Sequence, residues 1–228
     1  MHKAIFFDVD DTLLNFGSGS KWALADVFAR FDLELDAAVK LRYEGINNGL
    51  WAEQKQGLRS VQSVIDTRFR LLFEALNWQV DADAFRDAYQ GNLAQSHVME
   101  QGALETVQQL SQKYPLYVAS NSILAMQTSR LRLAKLLPYF QDLFVSNDIG
   151  YEKPDQRFFE TCLERSQLQP QDIVFVGDSL EADMVGASGC GMTACWYNPQ
   201  QKPVPKDMAI AHTAHHLGEL TELFCILI

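Results

Sequence analysis

Short apolar runs that stop at polar or glycine residues alternate, over much of the chain, with stretches whose apolar positions recur every three to four residues. Ala4–Phe7, Leu116–Ala119, Leu143–Val145, Ile173–Val176 and Thr193–Trp196 read as strands. Ala103–Lys113, Ser122–Leu136, Gln156–Ser166 and Leu180–Ser188 read as the helices between them. Strand, helix, strand, helix is the rhythm of an α/β fold with a parallel sheet covered on both faces. Ligands of such sheets bind at the carboxyl ends of the strands.

One region breaks the rhythm. Between about Ser20 and Gln95 no strand pattern appears, and amphipathic stretches run over Trp22–Phe31, Ala37–Leu50, Val61–Leu76 and Ala82–Leu93. Ser60 and Asp81 are placed to cap the last two, while Gly49 and Gly57 read as breakers. The expected organisation is an α/β core of residues 1–16 and 97–228, with an all-helical domain, 17–96, inserted after the first strand. Asn198–Lys206 is proline-rich and reads as a loop, and Leu217–Leu227 as a final helix.

Composition narrows the options. The chain has 228 residues, 47 % hydrophobic and 21 % charged, enough for one packed α/β core with an insertion. A formal net charge of −10 and a sequence pI near 4.9 repel polyanions, so a nucleic-acid polymer or an anionic membrane is not an expected partner. A small anionic substrate binds such a protein only where a cation and local lysines reverse the potential. Cys162, Cys190, Cys195 and Cys225 form no CxxC pair and read as reduced, mostly buried thiols. The opening Met1-His2-Lys3-Ala4 lacks a secretory pattern, and no apolar run reaches the roughly 20 residues that span a bilayer. A cytoplasmic protein is the expectation. His212, His215 and His216 cluster in sequence and read as a solvated helix start.

The chemistry gathers where the predicted strands end. After Phe6-Phe7 come Asp8 and Asp10, two apart, so both side chains can project toward one site. A capped, solvated turn would explain the segment, and so would a phosphoryl-transfer site with a carboxylate nucleophile. A calcium loop would not. It needs Gly and Glu at its sixth and twelfth positions, which here are Leu13 and Gly19. The second strand ends in Ser120-Asn121, whose hydroxyl and amide suit phosphate oxygens. Lys153-Pro154 sets a lone cation before a helix. The fourth strand ends in Gly177-Asp178-Ser179-Leu180-Glu181-Ala182-Asp183, adding two carboxylates. Four carboxylates in one pocket would raise one another's pKa and repel a phosphate dianion. One lysine cannot balance them, whereas a hard divalent cation can.

Asp-x-Asp-x-Thr, Ser-Asn, Lys-Pro and Gly-Asp-Ser-x-x-x-Asp, in that order, resemble the four motifs of the haloacid-dehalogenase-like superfamily. The resemblance covers nearly the whole chain. It implies a Rossmann-like three-layer core with a small helical cap after the first strand, and a Mg2+-dependent phosphomonoesterase. Asp8 would be the nucleophile, forming an aspartyl-phosphate, and Asp10 the general acid and then base. Thr12, Ser120, Asn121 and Lys153 would hold phosphate, with Lys153 also offsetting charge on the nucleophile. Asp8, the backbone carbonyl of Asp10, and Asp178 would bind Mg2+, supported by Asp183. An acid at position 10 disfavours dehalogenation, because a halide leaves without a proton. Cap residues Ile46-Asn47-Asn48-Gly49-Leu50-Trp51 and Thr67-Arg68-Phe69, with Cys195-Trp196-Tyr197-Asn198-Pro199, are similar to the pyrimidine 5′-nucleotidase group. That likeness implies a nucleoside monophosphate as partner and Asn47, Trp51 and Phe69 as specificity residues. Taken singly, Trp51 and Phe69 also read as core packing, and Asn47 and Arg68 as surface or capping residues. A sugar-phosphate phosphatase or phosphomutase is the alternative on the same core. A phosphoacceptor signalling module is the alternative of another class, though Asp10 would hydrolyse its phospho-aspartate too quickly.

Overall fold

The computed structural model describes residues 2–225 and divides into two compact units, Gly17–Ser96 and the remainder, Met1–Phe16 with His97–Ile228. In the larger unit six parallel strands form one sheet: β1 (Ala4–Phe7), β2 (Leu116–Ser120), β3 (Phe140–Val145), β4 (Ile173–Gly177), β5 (Thr193–Tyr197) and β6 (His212–Ala214). Their order is β3-β2-β1-β4-β5-β6. The chain leaves β1 in one direction through β2 and β3, then returns to lay β4 on its other side. Phe7 therefore pairs with Val118 on β2 and Val176 on β4. This reversal opens a crevice beyond the carboxyl end of β1, where open α/β sheets place their ligands.

The smaller unit holds α1 (Phe16–Arg30, its first residue at the boundary), α2 (Ala37–Lys55), α3 (Val61–Leu76) and α4 (Ala82–Leu93). The sheet is flanked by α5 (Ala103–Ser111), α6 (Leu124–Leu133), α7 (Ser146–Ile149), α8 (Gln156–Ser166), α9 (Gly186–Gly189) and α10 (Glu219–Cys225). Every residue of β1 is fully buried, and alternate ones feed opposite layers. Ile5 and Phe7 pack with Val107, Leu131 and Leu220, whereas Ala4 and Phe6 pack with Phe158, Phe159 and Met184. Burial on both faces is why β1 is an unbroken apolar run rather than an alternating one.

In the helical unit Phe85 meets Phe28, Phe69 and Phe73 edge-on, at ring separations of 5.2, 4.8 and 5.0 Å. Ser60 accepts a bond from Ser63 N, and Asp81 from Asp83 N and Ala84 N, so α3 and α4 begin where their caps predict. Gly49 is not a breaker: α2 runs through it to Lys55, and the turn comes at Gly57, whose φ is +72°. Each glycine inside a helix costs about 1 kcal/mol, and α2 carries two, Gly45 and Gly49, whose cost the buried Tyr43 and Leu50 on the same helix offset. His212 does not start a helix. It opens β6, an edge strand paired with Cys195 of β5, and such a short polar strand gives little periodic signal. His215 and His216 follow it, with His216 Nε2 3.1 Å from Glu219. Cys162 and Cys195 are buried free thiols, Cys190 is half-buried, and the side chain of Cys225 lies outside the described residues. No described helix is long and apolar enough to cross a membrane.

Candidate active site

The last hydrogen bond between β1 and β4, from Asp8 N to Val176 O at 2.9 Å, delivers Asp8 to the crevice. Beyond it the chain turns sharply. The amides of Leu13 and Leu14 both reach back to Val9 O at 2.9 Å, and Asp11 adopts φ +56°. Inside this turn Thr12 is fully buried, and its Oγ1 has no hydrogen-bond partner among the described residues. A buried orphan hydroxyl costs about 1–3 kcal/mol, so a ligand oxygen at this position would relieve it.

Lys153 is 2 % exposed and spends all three ammonium hydrogens within the unit. It donates to Asp8 Oδ1 at 2.8 Å, Asp183 Oδ1 at 2.6 Å and Ala119 O at 2.7 Å. Meeting a phosphate as well requires exchanging one of these. Burial alone would lower its pKa, but Asp183 and Asp8 overcome this and hold it above the usual lysine range. Asp183 Oδ2 accepts from Ser179 N at 3.0 Å, so both its oxygens are engaged. The loop between them folds as a wide π-type turn, with Met184 N reaching Ser179 O at 3.1 Å. Gly177 makes room for this arrangement: a Cβ there would lie 2.3 Å from Asp183 Oδ2. Trp196 on β5 donates its indole N–H to Asp178 O at 2.9 Å and braces the neighbouring backbone.

Carboxylate oxygens of Asp8, Asp178 and Asp183 all lie within 4.8 Å of one another. Burial, opposed by Lys153 but reinforced by Asp183 and Asp10, pushes Asp8 up to about 7. Burial with Asp8, Asp183 and Asp11 pushes Asp178 up to about 8. The ordinary carboxylate pKa therefore does not carry over to Asp8 or Asp178 in this pocket. A hard cation with oxygen ligands suits these donors and would restore both ionised forms.

Two placements depart from expectation. Asn121 does not aim its amide at a phosphate site, because both ends clamp Lys153: Oδ1 accepts from Lys153 N and Nδ2 donates to Lys153 O, each at 2.8 Å. Its work is to set the backbone that presents the lysine. Arg68 is neither a surface nor a capping residue. It is 3 % exposed within the helical unit, its guanidinium over the rings of Phe69 and Tyr89 at 5.2 and 4.7 Å. Phe69 is 1 % exposed and stacks on Tyr43 at 5.5 Å, in the aromatic core of that unit. Trp51 is half-buried on α2, and Asn47 has a buried Oδ1 without a hydrogen-bond partner among the described residues. Ser120, 1 % exposed, stands at the end of β2.

Two functional candidates escaped sequence reasoning. Gln127 and Arg130 of α6 are 0 % and 1 % exposed, and both reach the carboxylate of Asp10. In sequence, Arg130 looks no different from Arg132, which is exposed. The available signal was the three-residue spacing of two long polar side chains in the helix directly after Ser120-Asn121.

A family model described as haloacid dehalogenase-like hydrolase matches residues 2–191. The chain is 33 % identical over 228 residues to the HAD-hydrolase YfnB of Bacillus subtilis, covering 99 % of this chain and 95 % of that protein. It is 33 % identical over 200 residues to the pyrimidine 5′-nucleotidase PynA of Streptococcus pneumoniae, with 87 % and 84 % covered. The pyrimidine 5′-nucleotidase YjjG of Escherichia coli is 28 % identical over 222 residues, with 97 % of each covered. A crystal structure of YfnB bound to magnesium superimposes with a TM-score of 0.89, at 32 % identity over 97 % of this chain and 98 % of that one.

Proposed function

The chain belongs to the haloacid dehalogenase-like hydrolases, and from that premise we propose that it is a Mg2+-dependent phosphomonoesterase acting on pyrimidine nucleoside 5′-monophosphates. The observation that carries the reading is the convergence of Asp8, Asp178 and Asp183 on one point, with Lys153 bridging two of them. The carboxylate of Asp8, the backbone carbonyl of Asp10 and the carboxylate of Asp178 would hold the Mg2+, with Asp183 supporting them from behind. When bound, the ion supplies positive charge for the nucleophile and the phosphoryl oxygens.

The residues then divide the work. Asp8 attacks phosphorus through one carboxylate oxygen, forming an acyl-phosphate bond as the bond from phosphorus to the ester oxygen breaks. Asp10 gives its proton to that departing oxygen, so a nucleoside leaves as the alcohol. Asp10 next takes a proton from water as the water oxygen bonds to phosphorus. The acyl-phosphate bond breaks, and Asp8 returns as a carboxylate with inorganic phosphate released. Thr12 Oγ1 and the hydroxyl of Ser120 hold phosphoryl oxygens. Lys153 keeps Asp8 oriented throughout and limits repulsion between it and the incoming dianion. Selection of the leaving group belongs to the Asn47–Trp51 segment of the helical unit. The names of PynA and YjjG support a pyrimidine nucleotide over other esters.

The test is hydrolysis of UMP, dUMP, sugar phosphates and p-nitrophenyl phosphate side by side, with Mg2+ and with excess chelator. Highest kcat/KM on UMP or dUMP, only with Mg2+, is expected. Preference for a sugar phosphate would overturn the substrate reading and leave the phosphatase reading standing. Full activity in chelator would overturn the metal.

A further inference from the structure

Both oxygens of the Asp10 carboxylate are taken by one helix. Gln127 Nε2 donates to Oδ2 at 2.9 Å, and Arg130 Nη1 pairs with Oδ1. The two residues are also joined to each other, with Arg130 Nη1 donating to Gln127 Oε1 at 3.0 Å. That bond settles which end of the amide faces Asp10, because a guanidinium can only donate. Gln127 Nε2 has a second acceptor, Ser120 Oγ at 3.0 Å, so one side chain ties the end of β1 to the end of β2. The guanidinium of Arg130 lies over the ring of Phe16 at 5.7 Å.

Packing does not call for this arrangement. Burying an arginine and a glutamine costs desolvation and rotamer freedom, and apolar residues of similar volume fill such space more cheaply. Exposure is also divided unevenly: the side chain of Arg130 is 1 % exposed and that of Asp10 26 %. The cation is sealed behind and the carboxylate faces outward. Asp10 itself stands in the tight turn after β1, bridged to Leu14 and next to Asp11 at φ +56°, and these backbone bonds leave its side-chain torsions to be set by its side-chain partners. A proton donor is useful only within hydrogen-bond reach of the leaving oxygen.

We infer that Gln127 and Arg130 are positioning residues that aim the Asp10 carboxylate at the leaving oxygen, and at the water that follows it. The inference rests on Asp10 being the acid and base of the proposed reaction. Neither residue touches the substrate. Their loss acts through Asp10, so it falls on leaving groups that need a proton and spares those that do not.

The experiment compares Arg130→Met, Arg130→Lys, Gln127→Leu and Asp10→Asn in the full chain with Mg2+, each checked for folding by circular dichroism. Single-turnover release of alcohol from UMP (glycerol 3-phosphate if UMP is not turned over) and of p-nitrophenolate from p-nitrophenyl phosphate reports formation of the aspartyl-phosphate. Arg130→Met and Gln127→Leu should slow the alkyl ester by roughly 10- to 100-fold, part of the 10²–10⁴ that a positioned acid supplies, and the aryl ester by less than about 3-fold. Arg130→Lys, which keeps one donor and the charge, should recover part of the loss. Added to Asp10→Asn, either substitution should cost nothing more, because the group it positions is gone. Equal losses on both esters, or a full further loss in the Asp10→Asn background, would overturn the inference. If Arg130→Met does not fold, Gln127→Leu and Arg130→Lys decide the matter by the same comparisons. Should Asp10→Asn itself slow both esters equally, the acid–base reading of Asp10 is what fails. If it discriminates and the α6 variants do not, only the positioning role fails.

Discussion

At the scale of single residues, the site is defined by how its polar groups are committed. Lys153 is fully used, Asp183 holds it from one side and Asp8 from the other, and Asn121 fixes the backbone that presents it. Asp8→Asn should therefore fold, since an amide oxygen can still accept from Lys153. Turnover should fall by on the order of 10⁴–10⁶-fold, as when a covalent nucleophile is removed elsewhere. Initial rates with p-nitrophenyl phosphate, on protein whose mass confirms the asparagine, check this; a rate near wild type would remove Asp8 from the mechanism. Gly177→Ala gives a sharper geometric test. Its Cβ would stand 2.3 Å from Asp183 Oδ2, 2.5 Å from Cγ and 2.8 Å from Cβ, so the carboxylate that anchors Lys153 must move. Overpacking of this kind costs typically about 1–3 kcal/mol. Thermal unfolding should show that loss, and kcat should fall with it. A variant as stable and active as wild type would mean that Asp183 has slack the structure does not show.

At the scale of elements, the sequence was readable where local and global signals agree. Val61–Leu76 and Ala82–Leu93 stand as expected at both ends, because Ser60 and Asp81 supply side-chain caps and the apolar faces point into one aromatic core. Replacing either cap with alanine should cost about 1 kcal/mol, measured as a shift in the urea midpoint at unchanged slope. The α/β rhythm was readable for the same reason, since four of the five predicted strands begin where their apolar runs begin. β3 starts earlier, at Phe140, because Phe140 and the polar Asp142 both pair with β2, while Gln141 between them falls at a break in the register and interrupts the apolar run. β6 escaped because an edge strand needs no apolar run, and α2 outran its glycines because burial of Tyr43 and Leu50 outweighs a propensity penalty. Asp8, Asp10 and Asp178 were legible at strand ends, and Lys153 as a lone cation before a helix. Gln127 and Arg130 were not, since a buried polar pair on a helix of weak periodicity looks like surface until the fold buries it. Trp51 on α2 tests what helical elements contribute to selectivity. If it stacks on a nucleobase, Trp51→Ala should lose about 5- to 150-fold in kcat/KM on UMP, the equivalent of 1–3 kcal/mol. p-Nitrophenyl phosphate should be spared. Parallel losses on both substrates would make Trp51 a packing residue.

At the scale of the whole molecule, charge decides how such a chain handles a phosphate dianion at all. A protein of formal net charge −10 generates a field that opposes its own substrate. The one described cluster of potential ligands, Asp8, Asp178 and Asp183, concentrates that field where phosphorus must approach. Lys153 neutralises a single charge there and is already bonded to two of the three carboxylates. Without a cation, burial and the neighbouring carboxylates push the pKa of both Asp8 and Asp178 upward, so the pocket disfavours their ionised forms. A bound divalent cation should therefore serve folding as well as turnover. At a Mg2+ concentration 100-fold above its dissociation constant, linkage stabilises the protein by about 2.7 kcal/mol. For a chain of this size that corresponds to a rise of roughly 5–10 °C in the unfolding temperature of the unit that carries the site. Differential scanning fluorimetry with Mg2+, Ca2+ and chelator measures it directly, and the same samples give phosphatase activity. Mg2+ should raise both. Ca2+ should raise the unfolding temperature with little activity, because its longer bonds and larger shell displace the nucleophile. Asp178→Asn should abolish the Mg2+ shift while leaving the chelated protein at least as stable as wild type, since it removes a carboxylate whose ionised form burial and its neighbours disfavour. A Mg2+ shift that survives Asp178→Asn would place the ion elsewhere in the molecule.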